Sequence, residues 1–249
     1  MTSPLFASRR SDRVSVLSVD PELAGRLEGT RRERAEELST ARLLRRPAGL
    51  WHAKDDARHG RDGLGLLVVE GTLVRRVGMA GRFGAELLSD GDLLQPAEHD
   101  GEDATLPFEA TWRVLRPMRL AVLDLAWMAR MAPYPEVLAE ITRRAIVRSR
   151  RLASLQAIAQ HHRLEDRLRL LFWELADRYG KVGVEGVRLE LPLTHDMISH
   201  LVGAHRPSVS AALSRLEQSG YVRRQGRLWL LLGPPPRLDE PVLLDDGAA

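Results

Sequence analysis

Cysteine is absent from the 249 residues, which excludes disulfides, thiol sensing and thiolate metal sites together. Lysine is almost absent: only Lys54 and Lys181 occur, so nearly all of the 37 cationic side chains are arginine. A GC-rich coding genome explains that bias as readily as function does. No apolar run approaches the roughly 20 residues of a membrane span. The N-terminus also lacks the apolar stretch of a signal peptide, so a cytoplasmic protein with no membrane partner is expected. Enzyme signatures are missing as well. There is no Ser/His/Asp set, paired-carboxylate motif or phosphate-cradling glycine loop in a recognisable context. Gly78, Gly81 and Gly84 read as turn punctuation. His52, His59 and His99 stand too far apart for a His-x-His metal pair, so no catalytic residue, metal or cofactor is expected.

What is present is the composition of a globular protein, 44% hydrophobic and 29% charged, and long enough for two domains. The formal charge is only +3. From Lys181 to Gly233 there are seven Lys/Arg against four Asp/Glu, so this stretch alone carries that whole excess.

Within it, two short helical patterns meet at a glycine. Met197, Ile198, Leu201 and Val202 recur at helical spacing, with Thr194 at the N-cap position and Asp196 in the first turn. Gly203 permits the reversal, and Arg206-Pro207 opens the second helix. Its inner stripe is Val209, Leu213 and Leu216. The opposite face carries Arg206, Ser210, Ala211, Ser214 and Arg215. Small side chains let a helix approach the floor of a major groove, and an arginine near its start can pair with a guanine edge. Tyr221 to Arg224, a Gln225-Gly226 turn and Arg227 to Leu232 predict a hairpin whose arginines would meet phosphates. The pattern is a winged helix-turn-helix; two packed surface helices with a basic hairpin is the plainer alternative.

The segment THDMISHLVGAHRPSVSAALSRLEQSGYV resembles the DNA-binding domain of the Crp/Fnr bacterial transcription regulators. The resemblance extends more weakly over about residues 20–233. It departs from the family inside the recognition helix, where members often show Arg-Glu-x-x-x-Arg. Here Arg206 is kept, Pro207 stands at the Glu position and Ala211 at the second Arg. A recognition helix is implied; the family's usual palindromic target sequence is not. The missing cysteines exclude the iron–sulfur sensing of the Fnr branch.

Between Ala41 and Leu125 short apolar segments alternate with Gly, Pro and Asp. The candidate strands are 43–44, 65–70, 72–77, 86–88, 93–94, 111–115 and 119–124, with turns at Glu70-Gly71 and Ser89 to Asp92. The resemblance makes this a cyclic-nucleotide-type β-roll, but its nucleotide residues are not matched. Gly91-Asp92 is followed by Gln95-Pro96 where the family has Gly-Glu. Phe108 and Glu109 align with the Arg and Ser/Thr of the phosphate site. Leu152 and Ala153 align with the Thr-Ser pair of the cAMP-binding protein. Trp112 and Trp127 could line an apolar effector pocket, although core packing is their commoner fate.

From Glu136 to His162 there is neither Pro nor Gly. Leu138, Ile141, Ala145, Arg148, Leu152, Leu155 and Ala159 form an a/d seam, with Arg148 as its misfit. A self-partner buries such a seam most simply; burial against the roll is the alternative. A second amphipathic helix follows over 164–179, and Val187 to Leu191 is a candidate strand beside the wing.

The expected fold is α+β: an antiparallel, jelly-roll-like β-roll, a long dimerisation helix and a C-terminal winged helix-turn-helix. The expected limits are a flexible tail 1–19, the roll 20–132, the helix 133–162, the DNA-binding domain 163–233 and a second tail 234–249. The expected function is a homodimeric, sequence-specific regulator of double-stranded DNA, independent of cAMP, on a two-fold-symmetric operator. Arg206 is expected to read a base, with Ser208, Ser210, Ala211, Ser214 and Arg215 along or beside the groove. Thr194, His205, Arg223, Arg224 and Arg227 are expected on phosphates. RNA polymerase is a further candidate partner. An effector-gated switch, and an interaction protein that does not read DNA, are the rival readings; no effector is identified.

Overall fold

A computed structural model describes residues 12–56, 58–96 and 108–236. The chain divides into two compact units, residues 1–153 and 154–249.

The first unit begins with strand β1 (Arg13–Ser15) and helix α1 (Val16–Val19). Residues 12–19 are therefore not a loose tail. Val14, Val16 and Leu17 are buried, and Ser39 Oγ accepts from the Leu17 amide at 3.2 Å. Residues 1–11 lie outside the described residues. A 3-10 turn over Pro21–Ala24 precedes α2 (Gly29–Leu38). The charged run 31–37 sits on α2, which buries only Ala35.

Strands β2 (Thr40–Arg46), β3 (Gly49–Trp51), β4 (Gly65–Met79), β5 (Arg82–Ser89), β6 (Leu93–Leu94) and β7 (Glu109–Leu123) complete the roll. With β1 they form an antiparallel sheet in the order β1-β2-β7-β4-β5; β3 also pairs with β7 and β6 with β4. Glu70-Gly71 does not turn the chain. β4 runs straight through it, with register shifts against β7 between Val68, Glu70, Thr72 and Leu73. Gly71 has φ 113°, and a Cβ there would stand 2.5 Å from the Pro117 carbonyl oxygen. The glycine marks bulged, close-packed strands instead of a hairpin. The hairpin falls at Ala80-Gly81, where both residues have positive φ and Met79 pairs with Arg82. That turn type matches the twist of its strands.

Two apolar clusters fill the roll. One gathers Val16, Leu17, Leu23, Leu67, Leu123 and Trp127; the other holds Trp51, Leu66, Leu73, Leu88, Trp112 and Leu120. Trp51 and Trp112 meet edge-on with ring centroids 5.5 Å apart. Trp127 is fully buried and donates its indole N–H to Ser39 O at 2.8 Å. It lies on α3 (Leu125–Met131), capped by Asp124. Both Trp112 and Trp127 are packing residues first.

Helix α4 (Pro135–Gln160) passes from the first unit into the second. Its roll-facing line is Val137, Ile141, Arg144, Arg148 and Arg151, at steps of four and three. Val137 and Ile141 join the roll's core. Arg144 donates to Asp20 at 2.9 Å, Arg148 to Glu86 at 2.8 and 3.0 Å, and Arg151 to Asp92 at 3.0 Å. Three of the seven seam positions, Leu138, Ile141 and Arg148, thus meet the roll. Arg148 is no misfit, because it answers a carboxylate on β5.

The second unit contains α5 (Leu164–Tyr179), β8 (Gly180–Gly183), β9 (Gly186–Leu189), α6 (His195–Leu201), α7 (Arg206–Gln218), β10 (Val222–Gln225) and β11 (Leu228–Leu231). Its antiparallel sheet runs β10-β11-β9-β8. The strand expected beside the wing is β9; β1, β3 and β8 have no counterpart among the strands expected from sequence. Phe172 of α5 packs on Trp229 of β11 at 5.2 Å between ring centroids. No helix of the described residues is long and apolar enough to cross a membrane. Residues 237–249 of the expected second tail lie outside the described residues.

Candidate nucleic-acid interface

Helix α6 starts as its sequence dictates. Thr194 is the N-cap, and its hydroxyl accepts from the Met197 amide at 3.2 Å. Met197, Ile198 and Leu201 are buried. Gly203, at φ 62°, lets the chain reverse, and the Ala204 amide closes the turn on Ser199 O at 2.9 Å. Helix α7 follows from the N-cap His205, with Pro207 in its first turn. Val209, Ala212, Leu213 and Leu216 are buried, and this anchored stripe fixes what the other side presents.

That other side is exposed and small. Arg206, Pro207, Ser208, Ala211, Ser214 and Gln218 are all exposed, with Ser210 half-buried at the edge. Ser214 Oγ donates to Ser210 O at 3.1 Å, so it is turned onto its own helix. Gln218 extends the face by one turn, beyond the residues that the sequence pattern singles out.

Arg215 departs from the expectation. Its Nε donates to Glu165 Oε1 of α5 at 2.7 Å, which makes it a link between helices. The same hydrogen bond holds the Glu165 carboxyl below its ordinary range. Nothing in the local spacing signals this pair, because its members are fifty residues apart.

The wing turns at Gly226-Arg227, one residue later than the sequence suggests, because Gln225 still pairs with Leu228. Arg223, Arg224 and Arg227 are exposed. Arg224 leans over Trp229 at 5.0 Å and donates to Gly226 O at 3.2 Å. Among the described residues no carboxylate pairs with Arg206, Arg223 or Arg227. Thr194 and His205 are exposed on the same unit.

One further residue joins this cluster without any sequence signal. His195 Nδ1 lies 2.9 Å from Ser210 Oγ, and its ring packs 6.4 Å from Trp229. Burial, then the charges of Arg224 and Arg206, push this histidine below its ordinary pKa.

The roll carries a recess of about 520 Å³ against α4, lined among others by Arg75, Gly91, Asp92, Arg144, Arg148 and Leu152. Its guanidinium groups face carboxylates of the same chain: Arg75 and Arg148 pair with buried Glu86, and Arg144 with Asp20 and Glu140. Phe108 and Glu109 lie elsewhere, on a second recess of about 560 Å³ beside Trp51 and Trp112. The sequence alignment that set them against a phosphate is therefore not matched by the first recess, whereas Gln95 and Leu152 do line it. His59 pairs with Arg42 and Asp56, His52 is exposed, and His99 lies outside the described residues. Among the described residues no three His, Asp or Glu side chains gather as metal ligands do.

Residues 166–238 match the model of the Crp-like helix-turn-helix domain. That segment is a Crp-like helix-turn-helix domain. A similar fold is seen in a CooA mutant from Carboxydothermus hydrogenoformans, at a TM-score of 0.59 and 16% identity, covering 78% of this chain and 84% of that one. A CRP-family transcriptional regulator from Thermus thermophilus is similar at a TM-score of 0.54 and 21% identity, covering 76% and 92%. The regulatory protein CysR of Synechococcus elongatus is 32% identical over 103 residues, 38% of this chain and 50% of CysR. The alignment with that curated relative spans about half of its length.

Proposed function

We propose that this Crp/Fnr-type chain is a homodimeric transcription regulator that reads double-stranded DNA on a two-fold-symmetric operator. The observation that carries the reading is the charge on one face of the C-terminal unit. Arg206, Arg223 and Arg227 are exposed and unneutralised there, beside a recognition helix whose outward residues are small. Arg206 is assigned to a base edge, Ser208, Ser210, Ala211 and Ser214 to the groove, and Thr194, His205, Arg223, Arg224 and Arg227 to phosphates.

The division of labour is roll 20–132, helix 133–162 and DNA-binding domain 163–233, in a cytoplasmic protein. The dimer uses the part of the α4 seam that does not pack on the roll's core: Ala145, Leu152, Leu155 and Ala159. Ile146, half of whose surface is exposed, extends it. Two such chains would place their recognition helices in successive major grooves, about 34–36 Å apart. RNA polymerase is a partner in this reading.

Independence from cAMP is supported by the occupied arginines of the roll recess, which leave no free guanidinium among its described residues to bind a cyclic phosphate. An effector-gated switch is the second reading, favoured by the recess itself. Selection from random duplex DNA near physiological salt, without effector, tests the proposal. Enrichment of a two-fold-symmetric site is the expected result. Enrichment only when a cyclic nucleotide is added would establish the second reading; none in either case would leave an interaction protein.

A further inference from the structure

Four elements of the C-terminal unit converge on one imidazole. His195 opens α6, Ser210 comes from α7, Arg224 from β10 and Trp229 from β11. His195 Nδ1 and Ser210 Oγ are 2.9 Å apart. Trp229 is fully buried, so the imidazole rests against a fixed wall whose ring Arg224 also covers. Ser210 itself stands at the edge of the exposed face, next to Arg206, Ala211 and Ser214.

A serine hydroxyl has one proton and two lone-pair sites. When Nδ1 carries no proton, it must accept the proton of Ser210. Oγ is then left with lone pairs only and acts outward as an acceptor. When the imidazole is protonated, both ring nitrogens donate, Nδ1–H bonds to Oγ, and the serine proton is free to point outward. Base edges differ in the same property: adenine N6 and cytosine N4 donate, whereas guanine O6 and N7 and thymine O4 accept. The charged groups acting on the ring are Arg224 of β10 and Arg206 and Glu217 of α7. Burial and the two arginines favour the neutral ring, and Glu217 opposes them.

We propose that His195 sets specificity: as the neutral tautomer with its proton on Nε2, it holds the Ser210 hydroxyl acceptor-outward and so biases one operator position toward a base that donates. This rests on the DNA-reading function proposed above. His195 is a positioning residue in this scheme and Ser210 the contacting one.

The test uses the full-length protein and the duplex enriched by selection, with each base placed in turn at each position, at about pH 7.5. Ser210→Ala and His195→Phe should each lower discrimination between donating and accepting bases at one shared position, by about fivefold, the worth of one hydrogen bond. The double variant should lose no more than either single one. With the unaltered protein, a move to about pH 5.5 should erode the same preference through the histidine, and Ser210→Ala should be insensitive to it. Full preference in His195→Phe beside loss in Ser210→Ala overturns the proposal, as does a preference indifferent to both changes. A misfolded variant would lose all positions together, and the pH comparison on the unaltered protein then decides. Failure of that protein to select any site overturns the DNA-reading function itself, a different result.

Discussion

The arginines of the two units do opposite things with the same side chain. On the α4 face of the roll, Arg75, Arg144, Arg148 and Arg151 are tied to Glu86, Asp20, Glu140 and Asp92. On the outward face of the C-terminal unit, Arg206, Arg223 and Arg227 stand in solvent with no carboxylate among the described residues. A guanidinium is always charged and offers a planar fork of donors. Where carboxylates converge on it, that fork fastens a helix to a sheet; where none do, it remains for a ligand. Arginine content alone therefore says little about function, and the placing of acids says more.

The comparison can be broken from the roll's side with the largest effect. Glu86→Ala would leave Arg75 and Arg148 without their shared carboxylate, and about 3 kcal/mol of N-terminal stability should go with it. Thermal and denaturant unfolding would show this; an unchanged transition would mean the pairs hold nothing. From the other side, Arg206→Ala should cost about 1–3 kcal/mol in operator affinity and relax a single base position. Equal loss on every sequence would remove Arg206 from base reading. Arg223→Ala and Arg227→Ala should weaken all duplexes alike and reduce the salt slope by about 0.9 each.

A pH series sharpens the contrast, because folding displaces the titration of His195, which lies among arginines. Its folded pKa is depressed, so the unfolded chain takes up the proton first as pH falls. Stability of the C-terminal unit should be complete above about pH 6.5 and decline as pH falls through that value. His195→Phe should flatten the decline in urea titrations. The smallest effect belongs to Arg215→Ala. Its partly exposed pair with Glu165 should be worth less than about 1 kcal/mol in stability, and base preferences should not change.

Much of the C-terminal unit was legible because its signals are local. Thr194 caps within three residues, the buried stripe of α7 repeats within two turns, and the wing closes within ten. Where the sequence misled, the deciding contact was remote. Arg215 and Glu165 are brought together by tertiary packing, and His195 reaches Ser210 only after α6 and α7 dock. In α4 the a/d spacing marked a seam, but periodicity cannot tell a roll from a second helix as the covering surface. Glu86 decided that for Arg148. In the roll, Glu70-Gly71 has the composition of a turn, yet the close passage of β7 at Pro117 needs that glycine inside a strand.

The ladder of Arg144, Arg148 and Arg151 also gives the roll an unusual response to heat. A helix docked by apolar side chains alone gains little further per unit area on warming. A helix docked through guanidinium–carboxylate pairs is held back mainly by the cost of stripping water from charge, and that cost falls as temperature rises. The hold of α4 on its sheet should therefore weaken less on heating than the roll's purely apolar interior. In the first stage of thermal unfolding, the helix would stay fastened to a sheet whose far edge has begun to open.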